Sequence, residues 1–419
     1  MPDMFLTNAR ILTLASADAS AAPGPRRGRA MRELGVIARG SLVVRAGRID
    51  WIGEGRPPAE RTAGLAATDL GGRVLLPAFT DCHTHACFAG ERYGEMAMRL
   101  AGTPYLDILA AGGGIMSTVR SVREATTDEL AANLRARLAL MRRAGTAHAE
   151  VKSGYGLDTA TELRMLEAIA AVAATDEGLV SPTFLGAHAV DGEPAAYARL
   201  VTDEMLPAVV ARFGAIPCDA YCEKGAWSRD DTRTLLERAR ALGCPLRLHV
   251  DQFHELGALG DALALGARTV DHLEATSPAM LDEVARSGTI AVLLPGSGLS
   301  LDLRFADGRR LIDAGAAVAI ATNMNPGSSP LVSMPLAIAL ASRFYRFDHA
   351  EAIVAATWNA ACVLGLERET GSLEVGKRAD LVVLPTGDER ALAYEWSSVA
   401  PEIVIVGGGV VAGGERLAP

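Results

Sequence analysis

Between about residues 75 and 325, short apolar runs alternate with stretches whose apolar positions recur every three to four residues. The runs are VLLPAFTDCH, AHAEVKSG, SPTFLGAHAV, CDAYCEKG, PLRLHVDQF, RTVDHLE, TIAVLLPG and VAIATNMNPG, eight in all. Their length and apolar character predict buried strands. Intervening stretches such as TDELAANLRARLALMRRAG and SRDDTRTLLERARALG predict amphipathic helices. Thr127 before Asp128 and Glu129 is the expected cap of the first, and Ser228 of the second, which ends near Gly243. Strand–helix repetition implies a parallel sheet, and eight units imply closure into a (β/α)8 barrel of the TIM type. Both chain ends differ from this middle. FLTNARILTL, GSLVVRAGRIDWIG, DLGGRVLLP, GSLEVGKRADLVVLP and PEIVIVGGGVVAGG are β-like and glycine-punctuated. The expected organisation is a barrel over 73–365 and a small composite β-sandwich from 1–72 and 366–419. Residues 17–30 read as a loose loop.

Composition narrows the class. Hydrophobic residues make up 49% and charged residues 22% of 419, ordinary for a soluble folded enzyme. The net charge of −9 and the lack of a basic cluster beyond PRRGRAMR argue against nucleic acid as a partner. PRRGR itself reads as a solvated loop. No apolar run approaches the ~20 residues of a membrane span. The first residues lack a basic stretch before an apolar core and read as a strand, not a signal peptide. Six scattered cysteines without a CxxC pattern fit a reducing cytoplasm, with Cys82 as packing.

In a parallel barrel the chemistry sits at the C-terminal strand ends. Five of the eight histidines fall there: His83, His85, His188, His249 and His272. His148, His254 and His349 read as structural. In DCHTHACFAGER, His83 and His85 are two residues apart, so on a strand both imidazoles point to one side. That pair suits a divalent metal, although packing histidines would show the same spacing. Strand 8 ends in TNMNPGSS, where Asn323 and Asn325 share a face. Their amide oxygens are weak ligands and cannot take a proton as a carboxylate can. Tyr155, between Gly154 and Gly156, could reach a pocket. Arg92 suits bidentate capture of a carboxylate, its alternative being a surface arginine.

With an HxH pair on strand 1, single histidines on strands 5 and 6 and a polar end to strand 8, the chain resembles the metal-dependent amidohydrolase superfamily. FAGERYGEMAMRLAGTPYLDILAAGGGIMSTVR, VKSGYGL, FLGAHAV, LHVDQF, DHLE and NMNPGSSP resemble the imidazolonepropionase family more narrowly, from about Leu75 to Pro330. That resemblance implies hydrolysis of the cyclic amide of 4-imidazolone-5-propanoate to N-formimidoyl-L-glutamate in histidine breakdown. It implies one zinc or iron ion on His83, His85 and His249, a carboxylate-bearing small-molecule substrate and a homodimer. The family's substrate-contacting positions match Arg92, Tyr155, His188, Asn325, Gly327 and Ser328, and its strand 6 histidine matches His272.

Two positions depart from the family pattern. The strand 8 aspartate, a metal ligand and proton acceptor, falls on Asn323. An acid after the strand 5 histidine falls on Gln252, with Asp251 adjacent. Proton transfer then has Asp251, His272 or a water held by Asn323 as candidates. Lys224 raises the option of a carboxylated lysine bridging two metals. Other readings are a different cyclic-amide hydrolase or deaminase of the superfamily, or a catalytically silent binding protein.

Overall fold

A computed structural model describes residues 3–16, 23–103, 107, 112–301 and 303–416 of the chain. Eight parallel strands form one sheet in sequence order: β6 (Phe79–Asp81), β7 (Thr146–Lys152), β8 (Leu179–Ala187), β9 (Cys218–Cys222), β10 (Arg247–Val250), β11 (Thr269–His272), β12 (Ile290–Leu293) and β13 (Ala317–Ile320). Each corresponds to one of the eight apolar runs. The first and last strands meet just beyond their ends, through a parallel bridge between Thr84 and Met324. Asn323 N donates to His83 O at 3.1 Å and His85 N to Met324 O at 2.8 Å. The barrel therefore closes at the histidine pair itself and Thr84 between them.

The second sheet draws on both chain ends. Its strands are β1 (Met4–Leu12), β2 (Val36–Arg45), β3 (Arg48–Glu54), β4 (Ala67–Asp69), β5 (Val74–Pro77), β14 (Leu381–Val383), β15 (Ile403–Val406) and β16 (Gly409–Ala412). They run in the order β16-β15-β14-β5-β1-β2-β3, with β4 paired alongside β1. One face packs a core of its own, including Leu42, Val44, Leu75, Leu381 and Ile405. The other face contributes Val74, Leu76 and Val382 to the main core. Alternation along β5 explains this: residues two apart face the same side.

Three local expectations change. VLLPAFTDCH is not one strand. Val74–Pro77 pairs in the end sheet and Phe79–Asp81 in the barrel, with Ala78 between them. Continuous hydrophobicity hides the break because both halves are buried. Of the expected loose loop, residues 17–22 lie outside the described residues, but the part after them is built in. Arg26 is buried and donates to Leu14 O and Ala15 O, Arg27 donates to Ala285 O, and Gly28–Arg32 is a short 3-10 helix. The basic stretch thus satisfies backbone carbonyls and is not a solvated loop. Thr126, not Thr127, caps the helix Thr127–Arg143, in a reciprocal capping box with Glu129. Ser228 caps Arg229–Ala241 as expected.

Candidate active site

His83, His85 and His249 are buried at 0%, 3% and 2% exposure, and each offers a ring nitrogen within 4.8 Å of the others. His85 Nε2 and His249 Nε2 stand 3.4 Å apart. Two nitrogens bound to one tetrahedral zinc at ~2.0–2.1 Å would be separated by about 3.4 Å. His83 Nε2 and His85 Nδ1 are buried without a hydrogen-bond partner. An unpartnered buried nitrogen is costly unless something takes its lone pair. The cluster fits a metal ion on these grounds.

Two of the three outer nitrogens are held. His83 Nδ1 lies 2.5 Å from Asp271 Oδ2, and His249 Nδ1 lies 3.1 Å from Asp219 Oδ1. A carboxylate on Nδ1 fixes the Nδ1–H tautomer and turns Nε2 toward the centre. These carboxylates belong to a buried ionic layer. Lys152 Nζ bonds Glu150 at 2.6 Å and Asp219 at 2.8 Å, while Arg247 reaches Glu150 at 3.1 Å and Asp271 at 2.8 Å. Two cations face three carboxylates, which leaves the layer formally one charge negative behind the imidazoles. Burial alone would raise Asp219, but His249 and Lys152 outweigh it and hold it well below the usual carboxylate range. Burial first, then Lys152, depresses His83, and burial first, then His188, depresses His85, so both stay neutral and able to ligate.

Around this centre the other expected residues divide. His188 stacks on His85 with ring centres 4.8 Å apart and its Nδ1 is 2.9 Å from Gly154 O. Burial, reinforced by His249, brings it down to about 3, so it is neutral. Tyr155 is buried with its ring centre 5.1 Å from His188. His272 closes the group, its ring centre 5.5 Å from His249 and 6.0 Å from His83. Asn323 has Oδ1 buried and unpartnered. Gln252 is held between Tyr221, whose hydroxyl donates to its Oε1, and Ser297.

Asp251 turns another way. It accepts from Thr276 Oγ1 at 2.9 Å, and burial pushes its pKa up to about 6. Asn325 spends its side chain on its own turn, accepting from Gly327 N and Ser328 N and donating to Asn323 O. Gly327 leaves room for Arg92: a Cβ there would collide with Arg92 Nη1. Glu95 takes Nε and Nη2 of Arg92 at 2.9 and 2.7 Å, so Nη1 is the nitrogen outside that pair. Lys224 is exposed beyond the end of β9, which removes the geometry for a bridging carboxylated lysine. His148 bonds Thr370 and Asp380, and His254 bonds Glu223, both as structural pairs.

Sequence reasoning passed over Glu150, Lys152, Asp219, Arg247 and Asp271. Each is a charged residue in a barrel strand, a position whose facing only barrel closure decides. A further mark of the site is left-handed backbone at non-glycine residues, with φ of 56° at Asp251, 85° at His272, 71° at Leu273 and 53° at Asn323. All lie at the ends of β10, β11 and β13. Such conformations cost ~1–3 kcal/mol each and gather at functional sites.

The amidohydrolase family model matches residues 224–411. An imidazolonepropionase of Herpetosiphon aurantiacus is 45% identical over 401 residues, covering 92% of this chain and 93% of the relative. One from Deinococcus radiodurans is 46% identical over 372 residues, covering 89% and 92%. The chain belongs to the imidazolonepropionase family. Among solved structures, a 5-methylcytosine deaminase of Klebsiella pneumoniae superposes with a TM-score of 0.73 at 17% identity, covering 97% of both chains. An adenosine deaminase of Xanthomonas campestris with bound zinc gives 0.69 at 18% identity, covering 97% and 92%. These show a shared fold.

Proposed function

We infer that the chain hydrolyses the ring amide of 4-imidazolone-5-propanoate to N-formimidoyl-L-glutamate in histidine degradation. The observation that carries this is the turn Asn323–Gly327. It starts at the three-imidazole centre and ends under the free edge of Arg92, so one short segment links a hydrolytic centre to a carboxylate anchor. Full-length relatives named imidazolonepropionase support the same substrate.

A zinc or iron ion held by His83, His85 and His249 would supply Lewis acidity to activate water and polarise a carbonyl. The protein's own groups do the rest. Arg92 Nη1 binds the propanoate tail, and Gly327 keeps that nitrogen accessible. His188, with Nδ1–H donated to Gly154 O, offers Nε2 as an acceptor to a ring N–H. Tyr155 walls the ring. Hydrolysis adds OH to the carbonyl carbon and a proton to the departing ring nitrogen. In this reading His272 carries that proton; Asp251 is turned to Thr276 and amides at 252 and 323 cannot. Substrate orientation by these groups is itself a large part of the rate. The six unpaired cysteines fit a cytoplasmic enzyme, and a homodimer without nucleic acid or membrane partners is part of this reading.

Turnover of 4-imidazolone-5-propanoate by purified chain loaded with zinc or iron, abolished by a chelator, is the expected result. Asn323 and Gln252 favour a second reading, a protein that binds this substrate without opening it. Tight binding with no turnover under either metal would establish that reading instead.

A further inference from the structure

His272 is not left to orient itself. Its Nδ1 lies 3.1 Å from Glu274 Oε1, and both side chains are nearly sealed, at 2% and 3% exposure. A glutamate two residues along a strand would lie on the same face as His272, but pointing in parallel. Here the strand ends at His272, and φ of 85° and 71° at His272 and Leu273 fold the chain back. Two consecutive non-glycine residues adopt the left-handed region, and Leu273 N is held by Val250 O at 3.2 Å. The result of this strain is contact between Glu274 and the ring. Glu274 Oε2 is buried with no partner, so the carboxylate's hydrogen-bonding on this side goes to His272.

We propose that Glu274 is a positioning residue that locks His272 in the Nδ1–H tautomer, presenting a bare Nε2 to the reacting ring. The pattern parallels Asp271 on His83 and Asp219 on His249, but its histidine is outside the three-nitrogen cluster. It supplies the open rim with a carboxylate-backed imidazole where residues 252 and 323 offer only amides. A carboxylate on the far nitrogen holds an imidazole in the orientation and tautomer that proton transfer needs. This proposal rests on the hydrolytic reading above.

The test uses full-length metal-loaded protein and two variants. Glu274→Leu removes the acceptor, and Glu274→Gln keeps a neutral one. For Glu274→Leu, kcat should fall ~10²–10³-fold, within the usual worth of a placed acid–base group, with KM changed less than about threefold. Glu274→Gln should fall between that variant and the unmodified chain. A merely structural glutamate would lower Tm without this ordered loss in kcat. Independently of turnover, 15N NMR of the imidazoles should show His272 as Nδ1–H in the unmodified chain and as mixed tautomers in Glu274→Gln. An Nε2–H tautomer in the unmodified chain would overturn the proposal, as would full kcat in either folded variant. Absence of turnover in the unmodified chain would defeat the hydrolytic reading, and the tautomer measurement would still decide the role of Glu274. Should Glu274→Leu fail to fold, Glu274→Gln and the tautomer carry the test.

Discussion

Deeper along the strands, behind His83 and His249, Glu150, Lys152, Asp219, Arg247 and Asp271 pair only with one another, the imidazoles and the backbone, none more than 2% exposed. In front, at the strand tips, the polar groups are under-satisfied. Asn323 Oδ1, Asp251 Oδ1 and Glu274 Oε2 are buried without partners, and the backbone is left-handed at four non-glycine residues. The rear layer sets charge against charge and so fixes ligand geometry, although Arg247 Nε and Asp271 Oδ1 are themselves buried without a hydrogen-bond partner. The front keeps capacity for groups that arrive from outside. The difference lies in charge pairing: the rear carboxylates each meet a cation or an imidazole, whereas the amide and carboxylate oxygens at the tips keep capacity for a ligand.

If that division is right, damage behind the histidines should move stability and metal retention together. Asp271→Asn leaves Arg247 short of a partner and His83 without its anchor. The expected loss is ~3–5 kcal/mol in denaturant unfolding, the range for breaking a buried pair, with metal affinity down ~10–100-fold. Unfolding as stable as the parent chain's would break the comparison.

Damage in front should spare the fold and change kinetics. Arg92→Ala removes the proposed anchor for the substrate tail, remote from the bond that breaks. KM should rise by an amount worth ~2–4 kcal/mol, with Tm nearly constant. An unchanged KM would mean that Glu95 holds the guanidinium away from substrate.

The smallest effect is expected at Asn323→Asp. The new carboxylate should tighten metal retention, and kcat should stay within about tenfold or fall, because in the proposed mechanism His272 handles the proton. Steady-state kinetics over pH 6–9 checks this. A rise of ~10²-fold or more would show that strand 8 normally carries the proton and that this chain is an impaired variant.

How much was legible beforehand follows the same line. The eight strands and the convergence of His83 with His85 come directly from spacing, because a period of two leaves little freedom. The ionic layer was not legible. Asp219 in CDAYC or Asp271 in TVDH looks the same whether it faces solvent or a barrel interior, and only closure decides which. The strand junction at Ala78 was hidden by uniform hydrophobicity. Arg26 departs from expectation because a basic run next to prolines and glycines ordinarily stays in water, whereas here its guanidinium finds carbonyls from Leu14 and Ala15. Glu274 depended on two left-handed residues that nothing in DHLE announces.

The single-residue link at Ala78 has a consequence for cooperativity. Ala78 is buried, its N–H donates to Asp380 O, and the chain on either side is locked into a different sheet. His83 lies only five residues further on. The end sheet therefore cannot open locally without pulling on the strand that delivers a ligand, so the two sheets should exchange amide hydrogens as one unit. Metal loading, acting at the far side of the barrel strand, should slow exchange at Leu75, Leu76 and Val382, in a sheet that touches neither metal nor substrate. Unchanged protection there on loading would show that the linker transmits nothing.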